Sequence, residues 1–423
     1  RAAMLSPYTV LDLTDDRGEL AGMLLGDLGA DVIKIEPPQG STSRRMPPFL
    51  DNAPGDNAPG DDAPGPERSL RFFAFNRNKR GITLDLDCEP GRQALISLVE
   101  KADFVIESAP PREMSRLGLG FETLRQANSR IVYVAITPFG QEGPHADFAV
   151  SDLTLAALGG PMSLQGHPDR PPVRLTVPQA WLHASSEAAV GALTAHARML
   201  TTGEAQFVDV SAQSAMTWTM LQGMVASSVQ GHDFNRAGPN IQLGPITVRL
   251  VYQCADGYMV LFPIGATLAK LVQWCAQEGL VPEDWVGEED WPLYHFKVLQ
   301  GQPVAHSVDE VLDATSRYVR HKTKAQLLEQ SLREGVSMAP VSNMEDLVRF
   351  RHLEERGYWL PAPLPDGQEV LVPGLFAHLT ETPMRVRRWA PRLGEHNREV
   401  LGDMLGLSPA ETAAACGSER ASE

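Results

Sequence analysis

The sequence predicts an α/β protein with a doubly wound, Rossmann-like large domain and a smaller α+β domain. In the first part of the chain, short apolar runs alternate with segments that carry apolar residues at helical spacing. The run Ile131 to Ile136 is almost continuously apolar, which is typical of a strand buried on both faces of a parallel sheet. With 423 residues, the chain exceeds the size at which a single core stops growing, so two domains are expected.

The alternation begins with predicted strands at Thr9 to Leu13 and Asp31 to Ile35, on either side of a predicted helix at Leu20 to Leu28. The elements predicted after them are a helix at 91–100, a strand at 103–106, helical turns around Met114 and Leu124, the strand at 131–136, a helix at 185–200, a strand at 206–210 and a helical stretch at 212–228.

The pattern changes after Gly231, where a hairpin is predicted from Val248 to Phe262 around the turn Ala255-Asp256-Gly257. Helices at 268–277, 308–318 and 324–332, a strand at 336–341 and a helix at 396–405 are predicted to follow. We therefore expect a large domain over 1–228, a small domain over 229–342, and a return to the large domain over 343–423.

A pentapeptide of the form Asp-Asn/Asp-Ala-Pro-Gly occurs three times in succession from Asp51 to Gly65. Its proline and glycine content, without an apolar anchor, does not offset the entropy cost of ordering. We predict a flexible surface insertion at 51–65.

Composition excludes several classes of protein. The formal net charge of −16 argues against nucleic-acid binding. The chain has no uninterrupted run of about 18 apolar residues, the length needed to cross a membrane. Its first residues lack the apolar segment of a signal peptide. The four cysteines are far apart and have no histidine at metal-binding spacing. We therefore expect free thiols in a reducing cytoplasm and no metal site.

Two features could bind an anionic ligand. Positive charge is concentrated in Arg44-Arg45 and in Asn76 to Gly81, where arginine and asparagine donors suit phosphate oxygens. The alternative for the second cluster is a solvated basic loop. The turn Thr137 to Gly140 follows the last predicted strand of the α/β run, and ligands of open sheets bind beyond the carboxyl ends of strands.

Asp152 begins a segment of small and apolar residues whose spacing predicts a helix. Because it follows Ser151, the residue types allow a helix N-cap as well as a nucleophile. No Gly-x-Ser-x-Gly or His-Glu-x-x-His motif offers a competing catalytic centre.

In this order, seven segments resemble the class III CoA-transferases, the CaiB/BaiF group. The segments are Val10 to Thr14, Leu24 to Glu36, Asn76 to Leu86, Thr137 to Gly140 with Gly143-Pro144, Val208 to Ser211, Gly335 to Val341 and Leu393 to His396.

The resemblance implies an interlocked homodimer that moves CoA from an acyl-CoA to a carboxylic acid. It also implies that Asp152 is the catalytic aspartate, which forms a mixed anhydride and then an aspartyl-CoA thioester. The residues that it points to for coenzyme A are Asn76, Asn78, Lys79, Arg80, Arg116, Thr137, Pro138, Phe139 and Gly140.

The chain departs from the family pattern at several places. Glu107-Ser108-Ala109 stands where many members have Glu-Asn-Phe, and Asp15-Asp16-Arg17 where many have a glutamine. Glu204-Ala205-Gln206 replaces a glycine-rich turn.

These departures leave two alternatives open. In an α-methylacyl-CoA racemase, a histidine precedes the shared aspartate and a second aspartate follows about thirty residues on. Here Ser151 and Ala180 occupy those positions, and neither can act as general acid or base. The other alternative is a catalytically silent CoA-binding paralogue.

Overall fold

The computed structural model describes residues 2–50 and 65–417. The predicted flexible insertion at 51–65 therefore lies, apart from Gly65, outside the described residues. The chain divides into two compact units. Within the described residues, the first comprises 2–162, 174–231 and 353–417, and the second comprises 163–173 and 232–352.

The first unit is built on a six-stranded sheet in which every neighbouring pair is parallel. The strand order is β3-β2-β1-β4-β5-β6, so the direction of winding reverses between β1 and β4. The predicted doubly wound α/β sheet is confirmed. Its strands are β1 (Thr9–Leu13), β2 (Asp31–Glu36), β3 (Lys79–Thr83), β4 (Phe104–Glu107), β5 (Val132–Thr137) and β6 (Gln206–Ser211).

The sequence prediction missed β3, which pairs with β2 and is buried at every position. Two of its five residues, Lys79 and Arg80, are charged, so the segment lacks the apolar pattern that identified the other strands.

Helices cover both faces of the sheet, and α7 is the longest element of the large unit with 23 residues. The helices up to residue 231 are α1 (Glu19–Asp27), α2 (Leu70–Phe75), α3 (Glu89–Val99), α4 (Glu113–Arg116), α5 (Phe121–Ala127), α6 (Asp152–Leu158), α7 (Ala180–Thr202), α8 (Ala212–Trp218) and α9 (Leu221–Gln230). Short 3₁₀ turns lie at Thr42–Arg45 and Pro161–Leu164.

Alternate residues of each strand enter two cores, one on each face. Val132, Val134 and Ile136 of β5 pack with α1, α7 and α8, whereas Tyr133 and Ala135 pack with α3 and α5. Small side chains let α7 lie close to the sheet. They are Ala184, Ala188, Ala192 and Ala195.

The second unit contains an antiparallel sheet of order β11-β10-β9 and a separate hairpin of β7 and β8. The predicted hairpin is present, but its first strand is divided: β8 pairs with β7, and β9 pairs with β10. The strands are β7 (Asn240–Leu243), β8 (Ile246–Arg249), β9 (Val251–Cys254), β10 (Gly257–Leu261) and β11 (Met338–Pro340). The helices are α10 (Gly265–Gln277), α11 (Trp285–Glu288), α12 (Tyr294–Leu299), α13 (Val308–Arg320), α14 (Lys324–Glu334) and α15 (Met344–Val348).

The last part of the chain starts with α16 (Arg351–Glu355) and the antiparallel pair β12 (Trp359–Pro363) and β13 (Glu369–Pro373). The predicted carboxyl-terminal helix is present as the π-helical stretch Arg398–Met404, followed by α17 (Pro409–Ala415). Both contribute to the core beside α3. Within the described part of the chain, no helix has the length and apolarity needed to span a membrane.

Candidate active site

The helix that carries Asp152 is capped by its neighbour. The Ser151 hydroxyl accepts a hydrogen bond from the Thr154 N–H at 3.3 Å, and the Thr154 hydroxyl accepts one from the Ser151 N–H at 2.9 Å. This capping box satisfies the first turn of α6. The N-cap assignment considered for Asp152 is therefore wrong, because Ser151 is the N-cap and Asp152 is the first helical residue.

The Asp152 carboxylate instead binds the start of α7. Oδ1 accepts a hydrogen bond from the Gln179 N–H at 3.1 Å, and Oδ2 accepts one from the Trp181 N–H at 3.3 Å. The aligned peptide dipoles of this long helix favour negative charge at its N-terminus. Asp152 is only partly buried. The carboxylate is thus held in one orientation and remains accessible.

Close packing fixes α6 below this carboxylate. Leu155 and Ala156 are buried in the core beside the sheet. A Cβ atom on Gly159 would lie 2.5 Å from the Cβ of Met216, so only glycine allows α6 and α8 to pack this closely.

The turn Thr137 to Gly140 lies directly beyond the carboxyl end of β5. The Thr137 hydroxyl accepts a hydrogen bond from the Gly140 N–H at 2.9 Å, and the Pro138 carbonyl accepts one from the Gln213 N–H at 3.0 Å. Gly140 has a φ of +93°, which a side chain would strain. Pro138 and Phe139 are half-buried. The turn has a fixed conformation at the edge where ligands bind open sheets.

Lys79, a predicted CoA ligand, is completely buried. Its Nζ donates to the Asp12 carboxylate at 2.7 Å, the Glu19 carbonyl at 2.7 Å and the Asn76 side-chain oxygen at 2.9 Å. These three bonds use all the donors of an ammonium group. The alternative of a solvated basic loop is therefore wrong. The segment is buried at the start of β3, and the ammonium group of Lys79 has no free donor.

The other predicted residues of this segment also bind within the chain. Asn78, with a φ of +62°, donates to Asp27 at 2.8 Å and accepts from the Arg387 N–H at 2.6 Å. Arg80 forms ion pairs with Asp31 and, at 2.8 Å, with Glu399. The segment lies at the amino end of β3, at the opposite edge of the sheet from Thr137. A direct contact of Asn76, Asn78, Lys79 or Arg80 with CoA stays a prediction.

The first basic cluster is similar: Arg44 is buried and its Nε donates to Glu36 at 2.6 Å. Arg116 differs, because 68% of its side chain is exposed and its partner is Glu113, three residues earlier in α4. Solvent screens an exposed pair of this kind, so Arg116 can exchange its partner for a phosphate at little cost.

A cleft of about 570 Å³ lies beside α4, at the carboxyl ends of β1, β2 and β4. This is the switch point of the sheet, where nucleotides bind in doubly wound folds. The cleft was not predicted from the sequence, although the departure at Ser108-Ala109 lies at its edge. Its apolar lining residues include Leu13, Ile35, Leu84, Ala109, Met114 and Leu117.

Glu107, the last residue of β4, contributes a buried carboxyl group to this cleft. Its Oε2 accepts a hydrogen bond from the Ala109 N–H at 2.6 Å, and Oε1 accepts one from the Tyr133 hydroxyl at 3.3 Å. Burial raises the pKa of Glu107 to about 7. The carboxyl group is therefore shared between its protonated and ionised forms near neutral pH.

Comparison with known proteins gives one family across the chain. A family model described as CoA-transferase family III matches residues 5–397. The BbsE subunit of succinyl-CoA:(R)-benzylsuccinate CoA-transferase from Thauera aromatica is 33% identical over 94% of this chain and 93% of that protein. Succinate–glutarate CoA-transferase from Agrobacterium fabrum is 31% identical over 92% of each chain. Among solved structures, a CAIB/BAIF family protein from Brucella suis has a TM-score of 0.77 at 26% identity, covering 96% of this chain and 100% of its own.

Proposed function

Since the chain belongs to CoA-transferase family III, we propose that it moves CoA between two dicarboxylic acids with Asp152 as the nucleophile. The observation that carries this proposal is the Asp152 carboxylate, which is partly exposed and held by two backbone N–H groups at the start of α7. A carboxylate nucleophile must be oriented and accessible, and this position meets both requirements.

The first half of the reaction transfers CoA to the enzyme. An Asp152 oxygen attacks the thioester carbonyl, the carbon–sulfur bond breaks, and a mixed anhydride and CoA thiolate form. The thiolate then attacks the Asp152 carbonyl of the anhydride. This step gives an aspartyl-CoA thioester and releases the donor acid, which carries away one oxygen from Asp152.

The second half reverses these steps with the acceptor acid. Its carboxylate attacks the aspartyl-CoA carbonyl, and the released thiolate attacks the acceptor carbonyl of the new anhydride. The products are the acceptor acyl-CoA and a free Asp152 carboxylate that contains one oxygen from the acceptor. Covalent catalysis has the advantage that one difficult exchange is divided into several easier steps.

The cleft at the switch point supports binding of the nucleotide end of CoA. Its apolar walls suit an adenine ring, and the exposed Arg116 beside it offers a guanidinium group to a phosphate. The turn Thr137 to Gly140 lies at the same edge of the sheet as this cleft. We propose these groups as the main CoA contacts.

The names of the relatives support dicarboxylic substrates. Succinyl-CoA is the named donor of the Thauera protein, and of relatives from Chloroflexus aurantiacus and Haloarcula hispanica named for citramalate and mesaconate. Succinate, benzylsuccinate, citramalate and mesaconate each carry two carboxylates. We propose succinyl-CoA as the donor for this chain.

An exposed apolar surface supports the homodimer. Helix α9 contains no buried residue, 57% of Val225 and 81% of Val229 are exposed, and so is 64% of Trp218, the last residue of the preceding helix α8. Adjacent apolar side chains at this exposure mark an interaction surface. A second copy of the chain is the partner that the family resemblance implies. Light scattering should give the mass of two chains, and Val229→Glu should shift the mass toward that of one chain.

The structure favours the transferase over the racemase. Ser151 is committed to the capping box, and Ala180 is completely buried at the start of α7. Neither position offers a group that could remove or return a proton.

Oxygen transfer from the acceptor tests the role of Asp152. With ¹⁸O-labelled succinate as acceptor, turnover should place ¹⁸O in the peptide that contains Asp152, measured by mass spectrometry after digestion. Asp152→Ala should lower exchange by about a thousandfold or more. Asp147→Asn is the matched control, because Asp147 is an exposed partner of Arg112.

Three results would contradict the proposal. Exchange without ¹⁸O in this peptide would remove Asp152 as the nucleophile. Deuterium wash-in at the α-carbon of a 2-methylacyl-CoA, without acid exchange, would indicate the racemase. Binding of CoA without either reaction would indicate the silent paralogue.

A further inference from the structure

Two departures from the family pattern form one hydrogen-bonded unit in the structure. The Asp15 N–H donates to the Ser108 hydroxyl at 2.9 Å, and that hydroxyl donates to Asp15 Oδ1 at 2.9 Å. Asp15 in turn holds Arg17, which donates from Nε to Oδ1 at 2.8 Å and from Nη2 to Oδ2 at 2.6 Å. Ser108 thus positions the Asp15 carboxylate, and Asp15 in turn holds the guanidinium group of Arg17.

The guanidinium group of Arg17 has N–H donors that Asp15 does not use. The bonds to Asp15 use Nε and Nη2, and no hydrogen bond from Nη1 to another described residue is formed. The side chain is 28% exposed. Burial alone would lower the pKa of Arg17, but the carboxylates of Asp15, Asp16 and Glu107 raise it above its ordinary value. Asp16 accepts its own hydrogen bond from the Thr42 hydroxyl at 2.9 Å.

Arg17 lies over the switch point, at the same edge of the sheet as Asp152. Its carbonyl accepts a hydrogen bond from the Ser185 hydroxyl of α7 at 3.3 Å. A Cβ atom on the next residue, Gly18, would lie 3.0 Å from the side chain of Ile136, which is near the carboxyl end of β5. The loop after β1 is therefore fixed against both β5 and α7.

The same helix positions Asp152 and Arg17. The Trp181 N–H binds Asp152, and Ser185 binds the backbone of Arg17 four residues later. Four residues span one helical turn, roughly 6 Å along the axis. The Asp152 nucleophile and the backbone of the loop that carries Arg17 are thus both anchored to the first two turns of α7.

We propose that Arg17 binds the distal carboxylate of a dicarboxylic acyl group whose other carboxyl carbon reacts with Asp152. The inference rests on the proposed transferase function and adds the residue that selects its substrates. The planar guanidinium matches a carboxylate in geometry and charge, and Asp15 sets its orientation before the substrate binds. An acyl group that ends in a methyl group would offer no acceptor to the Nη1 group that Asp15 leaves free.

The test compares succinyl-CoA with butyryl-CoA, which has the same number of carbons and no second carboxylate. The measured quantity is the ratio of their kcat/KM values with a common acceptor. Arg17→Gln should lower the ratio on the order of 30-fold, because a hydrogen-bonded charge is lost. Arg17→Lys should give an intermediate value, since it keeps the charge without the two-pronged geometry.

Arg125→Gln is the control for a lost positive charge, because Arg125 lies on the surface of α5 with Glu122 as its partner. This variant should keep the ratio of wild type. If Arg17→Gln does not fold, as judged by circular dichroism, the Arg17→Lys variant decides the question by the same ratio.

A ratio that stays within about threefold of wild type in the folded Arg17 variant would overturn the inference. The failure of the proposed function is a different result, since the wild-type chain would then show no exchange with any pair of acids. Exchange by wild type with equal preference for succinyl-CoA and butyryl-CoA would leave the transferase intact and reject Arg17 as a selectivity residue.

Discussion

Lys79 at the start of β3 and Asp152 beyond the end of β5 are both charged residues in segments that resemble family motifs, yet their surroundings differ. Lys79 is completely buried and its three donors are bonded within the chain. Asp152 is partly exposed, and its two hydrogen bonds leave oxygen lone pairs free. A charge that holds the fold together thus differs from a charge available for chemistry in its unused hydrogen-bonding capacity.

The largest effect expected from this comparison is the loss of Lys79. Burial would raise the pKa of Asp12, but Lys79 and Lys34 lower it below its ordinary value, so Asp12 depends on these cations. Lys79→Met should therefore leave a buried carboxylate short of a partner and lower the free energy of unfolding by about 3–5 kcal/mol. Urea unfolding followed by circular dichroism measures this change.

Lys101→Met is the control, because Lys101 is exposed two residues beyond the end of α3, and this variant should change the free energy of unfolding by about 0.5 kcal/mol or less. If Lys79→Met keeps the stability of wild type but binds CoA at least about tenfold more weakly, the residue is a ligand contact and the comparison fails at this position.

Sequence patterns were sufficient for the sheet wherever strands are apolar, as in β5. They failed at β3, because burial of Lys79 depends on Asp12, which is 67 residues away in the sequence. The carboxylate of Asp152 was identified from family motifs, but its backbone donors at Gln179 and Trp181 depend on where α7 begins. Similarly, Ser108 and Asp15 are 93 residues apart, so their hydrogen bond was not visible from either departure alone.

Glu107 resembles neither Lys79 nor Asp152, and its replacement is expected to have the smallest effect on stability. The group is buried like Lys79, but it faces the cleft, and its hydrogen-bond partners are the Ala109 N–H and the Tyr133 hydroxyl rather than a cation. Burial raises its pKa from an ordinary value of 4.5 to about 7. Between these pH values, the folded state holds a proton that the unfolded state has released.

The stability of wild type should therefore fall as pH rises from 4.5 to 7, by up to about 3 kcal/mol relative to Glu107→Gln, and the difference should level off above pH 7. Urea unfolding of both proteins at several pH values measures this difference. Glu113→Gln is the matched control: Glu113 lines the same cleft, but its hydrogen bond to Arg116 lowers its pKa. This variant should follow the wild-type curve from pH 4.5 to 7. Parallel curves for wild type and Glu107→Gln would show that Glu107 is ionised throughout, and that the positive charge of Arg17, which lowers the pKa of Glu107, offsets the effect of burial.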